Sequence, residues 1–110
     1  MKGTHLGELE EVILLTVGIL YEEAYGVAIK KELEERLDRN LSVGALHSAL
    51  KRLEKKGFLV SQLGEATSER GGKRKRYFKV TIHGYKALNE VKETRKDLWN
   101  SVPPIAFDFK

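Results

Sequence analysis

The stretch SVGALHSALKRLEKKG, residues 42–57, decides the fold, because its pattern predicts a single helix with two unlike sides. Ser42 is a favourable N-cap, and Gly57 stands where a helix C-terminus favours a left-handed residue. One apolar stripe at helical spacing is expected to face a core, and it consists of Val43, Leu46, Leu50 and Leu53. The segment is therefore predicted to be an amphipathic helix whose other sides meet solvent or a partner.

The outward side of this helix carries the donors that a DNA-reading helix needs. An α-helix fits the major groove of B-DNA, where its side chains reach base edges and phosphates. The outward residues are His47, Ser48, Lys51, Arg52 and Lys55. Small residues at Gly44, Ala45 and Ala49 are expected to let the first half of the helix approach a duplex closely. The alternative is an ordinary amphipathic helix with a solvated basic side.

A β-hairpin with a basic tip is predicted downstream of this helix. The runs FLV at 58–60 and YFKV at 77–80 are rich in aromatic and β-branched residues, and Gly71-Gly72 between them suits a hairpin tip. The basic residues that crowd the tip are Arg70, Lys73, Arg74, Lys75 and Arg76. Their mutual repulsion is offset when a polyanion binds and counterions are released. The alternatives are a solubilising loop or a localisation-type basic patch.

Positive charge is concentrated in the same part of the chain. The net charge is +4 over 110 residues, but residues 51–79 hold ten basic and three acidic residues and carry +7. The rest of the chain sums to −3. Such confinement is typical of a face that binds a polyanion. A solvated basic loop beside an acidic helix would give the same distribution.

Three more helices are predicted around these two elements. The first covers about residues 6–21 and is apolar nearly all round, so its surplus apolar face is expected to meet another chain. The second covers about residues 25–38, and Thr81 can cap a last helix that ends before Pro103-Pro104. The order helix, helix, turn, helix, hairpin, helix predicts a winged helix-turn-helix, an α+β fold that is mostly α, with a two-stranded hairpin as its wing.

Length and composition bound the class of protein. A chain of 110 residues makes one structural domain, and the absence of cysteine excludes disulfides and thiolate metal sites. The longest apolar stretch, Val12–Leu20, is half the length of a membrane span, and the chain begins without the basic n-region of a signal peptide. These features predict a cytoplasmic protein.

No catalytic or cofactor-binding constellation is evident in the sequence. The histidines at 5, 47 and 83 do not have metal-ligand spacing, so no metal is expected. Gly72-Lys73 lacks the spacing of a phosphate-binding loop, and neither Ser42 nor Ser48 lies in a GxSxG context. We therefore expect a binding module without a cofactor rather than an enzyme.

Several segments together resemble the PadR-like transcriptional regulators. They are LGELEEVILLTVG at 6–18, AYGVAIKKELEER at 24–36, SVGALHSALKRLEKKGFL at 42–59 and RGGKRKRY at 70–77. The resemblance covers about residues 6–88. It implies a homodimeric bacterial or archaeal repressor that reads operator DNA with its third helix and its wing.

Positions carried over from the family mark an expected DNA interface. They are Ser42, Ala45, His47, Ser48, Lys51 and Arg52 in the recognition helix, with Arg70–Arg76 in the wing. Many family members have tyrosine where this chain has His47, so any contact made by that phenol is altered. The candidates for base-edge contacts are His47, Ser48 and Lys51. The wing residues expected to position the protein on phosphates are Lys73, Arg74 and Arg76.

The resemblance also implies that the C-terminal region builds a dimer, here with a single helix as in the short subgroup. Residues 1–80 are then the DNA-binding part, and residues 81–110 are the dimerisation helix and tail. The residues expected in a dimer or effector pocket are Leu9, Ile13, Leu98 and Trp99. In some short members a tryptophan near this end forms an effector pocket between subunits, and Trp99 either has that role or packs in the dimer core. Phe107 and Phe109 are further candidates for the pocket.

We interpret the sequence as that of a sequence-specific transcriptional regulator, a repressor that acts as a homodimer on a pseudo-palindromic operator in double-stranded DNA. Release by a small hydrophobic or aromatic effector belongs to this interpretation. Two other classes remain open. One is a winged-helix protein-interaction module whose basic face meets an acidic protein, and the other is a sequence-neutral nucleic-acid-binding protein.

Overall fold

The computed structural model describes residues 6–65 and 74–109. Four α-helices and a two-stranded antiparallel sheet make up this part of the chain, which confirms the mostly helical winged-helix fold. In chain order, the elements are α1 (Glu8–Leu20), a 3-10 turn (Tyr21–Glu23), α2 (Gly26–Leu37), α3 (Val43–Lys55), β1 (Leu59–Leu63), β2 (Arg76–Val80), α4 (Ile82–Ser101) and a second 3-10 turn (Pro104–Phe107).

The core lies where α1, α2 and α3 pack against one another and against the inner side of the hairpin. In each helix, apolar residues at spacings of three and four turn one side toward the core, while Leu15 and Ile19 of the largely apolar α1 remain exposed. The almost completely enclosed side chains of the three helices are Ile13, Leu14, Val17, Ile29, Leu33, Leu46, Leu50 and Leu53. Leu59 of β1 and Phe78 of β2 complete the core. The inner leucines thus fix α3 in place and leave its opposite side at the surface.

Both ends of α3 have the capping residues that the sequence predicts. The Ser42 hydroxyl accepts a hydrogen bond from the Ala45 N–H at 3.1 Å, which satisfies one of the unpaired donors at the helix start. At the other end, Gly57 has a φ of 81°, a left-handed conformation that costs glycine little. Its N–H donates to the Glu54 carbonyl at 3.0 Å. Together the two caps define where the recognition helix begins and ends.

The hairpin is longer than the sequence predicted and is tied to α2 at its base. Its register runs from Leu59 opposite Val80 to Leu63 opposite Arg76. The Phe78 N–H donates to the Ala24 carbonyl at 2.8 Å, so the chain just before α2 adds a single β-bridge, between Tyr25 and Tyr77, beside the two strands. The predicted Gly71-Gly72 tip lies outside the described residues.

A tight junction joins the hairpin to α4. Thr81 caps α4 by accepting a hydrogen bond from the Gly84 N–H at 3.0 Å, and its own hydroxyl donates to the Gly57 carbonyl. A Cβ at position 84 would lie 2.3 Å from the Phe58 carbonyl oxygen and 2.9 Å from Val80 Cγ1. Only glycine therefore lets the first turn of α4 lie this close to the end of the hairpin.

The second half of α4 extends away from the rest of the molecule. Val91 is the last buried residue of this helix. One turn further along the helix, Arg95 forms an ion pair of 3.0 Å with Glu11 of α1. The radius of gyration is 17.0 Å, against about 13 Å for a compact chain of this length. The longest dimension is 61 Å. Residues beyond Arg95 therefore form an arm whose side chains are exposed in a single chain.

Three residues lie elsewhere than the sequence pattern predicted. The stripe prediction is wrong for Val43, which is 56% exposed because α3 begins there and reaches its neighbours only from Leu46 onward. Ala49 is fully buried on the same side as Leu46, so it cannot ease an approach to DNA. Ile13 is fully buried in this chain's own core, four residues before buried Val17, and offers no surface to a second chain or an effector.

Candidate nucleic-acid interface

A groove of about 900 Å³ lies between the start of α2, the outer side of α3 and the base of the hairpin. Three elements that are distant in sequence thus border one concave surface. Its polar and charged lining residues include Lys30, His47, Ser48, Lys51, Glu54, Lys75 and Arg76. Among the described residues of this lining, cations outnumber the single acid. A concave surface with this excess of positive charge focuses the positive electrostatic potential in the groove and so attracts a polyanion.

The exposed side of α3 agrees with the recognition helix that the sequence predicts. The predicted residues that lie at the surface are Ser42, Ala45, His47, Ser48, Lys51, Arg52 and Lys55. Of these, His47, Ser48 and Lys51 line the groove, and they are the three candidates for base-edge contacts. Ser42 has a structural role at the same time, because its hydroxyl caps the helix.

Side-chain hydrogen bonds hold two of the wing arginines at the base of the hairpin. Arg74 Nε donates to the Gly64 carbonyl at 2.7 Å. A guanidinium nitrogen of Arg76 donates to Ser61 Oγ at 3.1 Å, and that hydroxyl donates to a Glu54 carboxylate oxygen at 2.8 Å. These bonds hold the start of the second wing strand and the residue two positions before it against the first strand and the end of α3. Arg70 and Lys73, the other predicted wing cations, lie outside the described residues.

Tyr25 joins the wing to the start of α2. The Lys75 ammonium lies 4.1 Å from the centre of the Tyr25 ring, a cation–π distance. The same ring meets Tyr77 edge to face, with 5.6 Å between the ring centres. The position of Lys75 beside the groove is therefore set by an aromatic residue about fifty positions earlier in the chain.

Arg52 and Lys56 lie on the side of α3 that faces α1, where both meet Glu10. Glu10 is buried and accepts two hydrogen bonds from Lys56 Nζ, at 2.8 and 2.9 Å. Arg52 Nε lies 3.7 Å from the same carboxylate. Arg52 is exposed as predicted, but this ion pair turns its charge toward α1 rather than toward the groove.

Opposing effects act on the pKa of Glu10. Burial raises the pKa of this carboxyl, because a charge is poorly solvated inside the protein. The hydrogen bonds from Lys56 and from the Gly7 N–H, with the nearby charges of Lys56 and Arg52, outweigh burial and lower the pKa below its ordinary value of 4.5. The ionised carboxylate therefore fastens the start of α1 to the end of the recognition helix.

The residues expected in a dimer or effector pocket fall into two groups. Leu9 is half-buried against the core of its own chain. Leu98 and Trp99 are 66% and 69% exposed on the arm of α4. The Trp99 ring lies 5.7 Å from that of Phe107, because the 3-10 turn folds back toward the helix. A small cluster of exposed apolar rings thus forms at the end of the arm.

The sequence pattern missed several residues of the groove. Tyr25, Val27 and Lys30 belong to its α2 wall, and Val43 lies beside them at the start of α3. Tyr25 stands inside the AYG segment that carried the family resemblance, but no local pattern indicated its contact with the wing. The exposure of Val43 could have been predicted from its position directly after the N-cap, since the first residue of a helix often lies beyond the part that packs on the core.

Two classes of site are missing from the part of the chain described here. Within residues 6–65 and 74–109, no three His, Cys, Asp or Glu side chains are grouped so as to hold a metal ion. No helix in these ranges is both long enough and apolar enough to cross a bilayer.

A helical core with an exposed basic third helix, followed by a hairpin wing, is the architecture of a winged helix-turn-helix DNA-binding protein. The transcriptional regulator PadR-like family model matches residues 14–96, and the chain belongs to that family. It is a transcriptional regulator rather than an enzyme. Comparison with curated protein sequences finds no match.

Three solved structures, two of them of PadR-like proteins, share the fold. A PadR-like transcription factor from Bacteroides fragilis is 31% identical with a TM-score of 0.72, and the match covers 88% of each chain. A PadR family transcriptional regulator from Eggerthella lenta is 27% identical with a TM-score of 0.68, covering 93% of this chain and 88% of the other. The hsRosR-S1 protein, solved as a complex, is 26% identical with a TM-score of 0.67 and covers 88% and 79% of the two chains.

Proposed function

We propose that this regulator is a homodimeric repressor that binds a pseudo-palindromic operator in double-stranded DNA and that a small hydrophobic or aromatic effector releases it. The observation that carries the DNA-binding part is the shared groove. His47, Ser48 and Lys51 of α3 border it together with Lys75 and Arg76 of the wing. One duplex can therefore meet the recognition helix and the wing at the same time.

The two elements have different tasks on the duplex. The outer side of α3 enters the major groove, where Ser48, Lys51 and His47 reach base edges. Arg74, just before the second wing strand, and Arg76, at its start, bind phosphates, which fix register without reading sequence. Arg70 and Lys73 extend the same basic run toward the predicted wing tip. Binding then depends steeply on salt, because each neutralised phosphate releases counterions.

The arm of α4 supports the homodimer. Leu98 and Trp99 expose large apolar surfaces there, as do Ile105, Phe107 and Phe109 in the tail. Adjacent exposed apolar groups of this size are typical of a protein interface. A second copy of the arm has the matching chemistry, and a two-fold axis between the arms places two recognition helices on one duplex. The half-sites are then about 10 bp apart or a multiple of that distance.

The effector belongs to the same arm. Trp99 and Phe107 form a pair of tilted rings at the surface, and aromatic rings are suited to bind a flat apolar molecule. A molecule that binds between two arms and prefers one arrangement of them favours one distance between the two recognition helices. It lowers operator affinity when that distance does not match the spacing of the half-sites. Repression is the mode of action that the family resemblance implies.

The experiment is selection of random duplexes by the purified full chain, followed by affinity measurements over a range of salt concentrations. The proposal expects an enriched two-fold motif, one dimer per site and a transcription template that is silenced when the motif overlaps its promoter. Tight binding without a motif would indicate a sequence-neutral protein instead. No DNA binding, with capture of an acidic protein, would indicate an interaction module.

A further inference from the structure

Val43 is an apolar residue of the groove that neither folding nor charge accounts for. Its side chain is 56% exposed, so burial does not explain an apolar residue there. Helix capping does not explain it either, since Ser42 supplies the cap. Valine is a poorer helix former than many polar residues, because its branched side chain loses rotamer freedom in a helix. The local structure therefore does not require valine at position 43.

The surroundings of Val43 define what it can contact. It is the first residue of α3, at the end of a recognition helix that reaches base edges in the major groove. Gly44 and Ala45 follow it at the surface, and a Cβ added at Gly44 would meet nothing within 4 Å. This end of the helix is thus narrow enough for a base edge to come close. His47 and Lys51, which line the same groove, supply polar contacts beside it.

One base edge of the major groove has apolar chemistry. The C5-methyl group of thymine projects there, and apolar side chains distinguish thymine from cytosine by contact with it. We infer that Val43 is a specificity-determining residue that packs against a thymine methyl group in each operator half-site. The inference rests on the proposed function, because it presupposes that α3 enters the major groove of an operator.

Ile82 is a matched control for this inference. Like Val43 it is the first residue of a helix, directly after the N-cap, and it is 63% exposed, but it begins α4 and lies outside the groove. Alanine at either position keeps a good helix former, so both variants are expected to fold. The Val43→Ala and Ile82→Ala variants therefore remove exposed apolar surface from the first turn of two helices, of which only α3 is proposed to enter the major groove.

The test uses the selected operator with deoxyuridine in place of thymidine at one position at a time, which removes only the methyl group. Wild-type affinity is expected to fall about fourfold at one position in a half-site, the effect of burying one methyl-sized group. Val43→Ala is expected to bind the thymine and uracil operators equally well. Ile82→Ala is expected to retain the wild-type discrimination.

Four outcomes would overturn the inference. The first is a set of selected half-sites that contain no thymine. The second is wild-type protein that binds every uracil operator as tightly as the parent operator. Val43→Ala could retain the full discrimination, which would assign the methyl contact to another residue. These three results leave the proposed function standing, since sequence-specific binding is observed in each. The fourth, absence of any sequence-specific binding, would overturn the proposed function and this inference together.

Discussion

The ammonium of Lys75 lies 4.1 Å from the centre of the Tyr25 ring, which couples the base of the wing to the start of α2. The same ring packs edge to face on Tyr77, so one aromatic residue contacts a position on the second wing strand and another just before it. The wing and the two helices that border the groove therefore behave as one unit near the hairpin base.

Replacing Tyr25 should uncouple Lys75 from the fold. A double-mutant cycle that combines Tyr25→Leu with Lys75→Met is expected to give a coupling of about 0.5–1 kcal/mol in the free energy of unfolding. The measurement is urea unfolding of the four chains. The control is the same cycle with Tyr25→Phe in place of Tyr25→Leu. Because phenylalanine keeps the π-face, its coupling free energy with Lys75→Met should be close to zero. A coupling indistinguishable from zero would mean that the cation–π contact does not hold the wing.

Gly84→Ala should destabilise the fold. The added Cβ would lie 2.3 Å from the Phe58 carbonyl oxygen, so α4 or the end of the hairpin must move. We expect a loss of about 1–3 kcal/mol in urea unfolding, the usual range for overpacking. Gly18→Ala is the matched control, since nothing lies within 4 Å of a Cβ there and alanine should add about 0.5–1 kcal/mol. Equal stability of the two variants would contradict the tight junction.

Glu10→Gln should weaken the link between α1 and the recognition helix. The substitution removes the charge that accepts two hydrogen bonds from Lys56, and a loss of about 1–3 kcal/mol in unfolding free energy is expected. Glu8→Gln is the control, because the exposed pair of Glu8 with Arg39 should contribute at most about 1 kcal/mol.

The stability of the wild type should also fall in acid because of Glu10. The pKa of this carboxyl is lower in the folded chain than its ordinary value of 4.5, so ionisation stabilises the fold above pH 4.5. That contribution is lost as the pH falls below 4.5 and through the lowered pKa of the folded state. Urea unfolding against pH should show a shallower acid decline for Glu10→Gln than for wild type. Parallel curves would exclude Glu10 as the source.

Arg74→Ala and Lys51→Ala should affect DNA binding in different ways. Loss of a phosphate contact at Arg74 is expected to weaken binding to all sequences and to reduce the salt slope by about one ion. Loss of Lys51 is expected to reduce discrimination between operator and random DNA by about 1–3 kcal/mol. Lys92→Ala, at an exposed position on α4, is the control. Equal losses on operator and random DNA would remove Lys51 from the set of base-reading residues.

Trp99→Glu should separate the two subunits. A charge in the centre of an apolar interface is costly to bury, so the variant is expected to sediment as a monomer at concentrations where the wild type is dimeric. Operator affinity should fall when the dimer is lost, because each half-site is then bound by a separate monomer. Ile82→Glu is the control on the same helix, being 63% exposed against 69% for Trp99. A dimeric Trp99→Glu chain would place the interface elsewhere.

Several features of the site could be predicted because they depend on neighbours within one or two helical turns. Ser42 and Thr81 are N-caps whose partners lie three residues away, and Gly57 ends α3 with a left-handed backbone. The basic outer side of α3 follows from helical spacing alone. The same spacing failed at Val43, because a periodic pattern does not show where a helix leaves the core.

The sequence by itself determined the order of the elements, the ends of the recognition helix, the face of its basic residues and the family of regulators. Each of these depends on local propensity, periodicity or a run of neighbouring residues. Only the tertiary structure decided that Tyr25 holds Lys75, that Glu10 binds Lys56 and that Ile13 belongs to the chain's own core. Those contacts arise from how helices and hairpin pack, since residues far apart in sequence meet only when the whole core has formed.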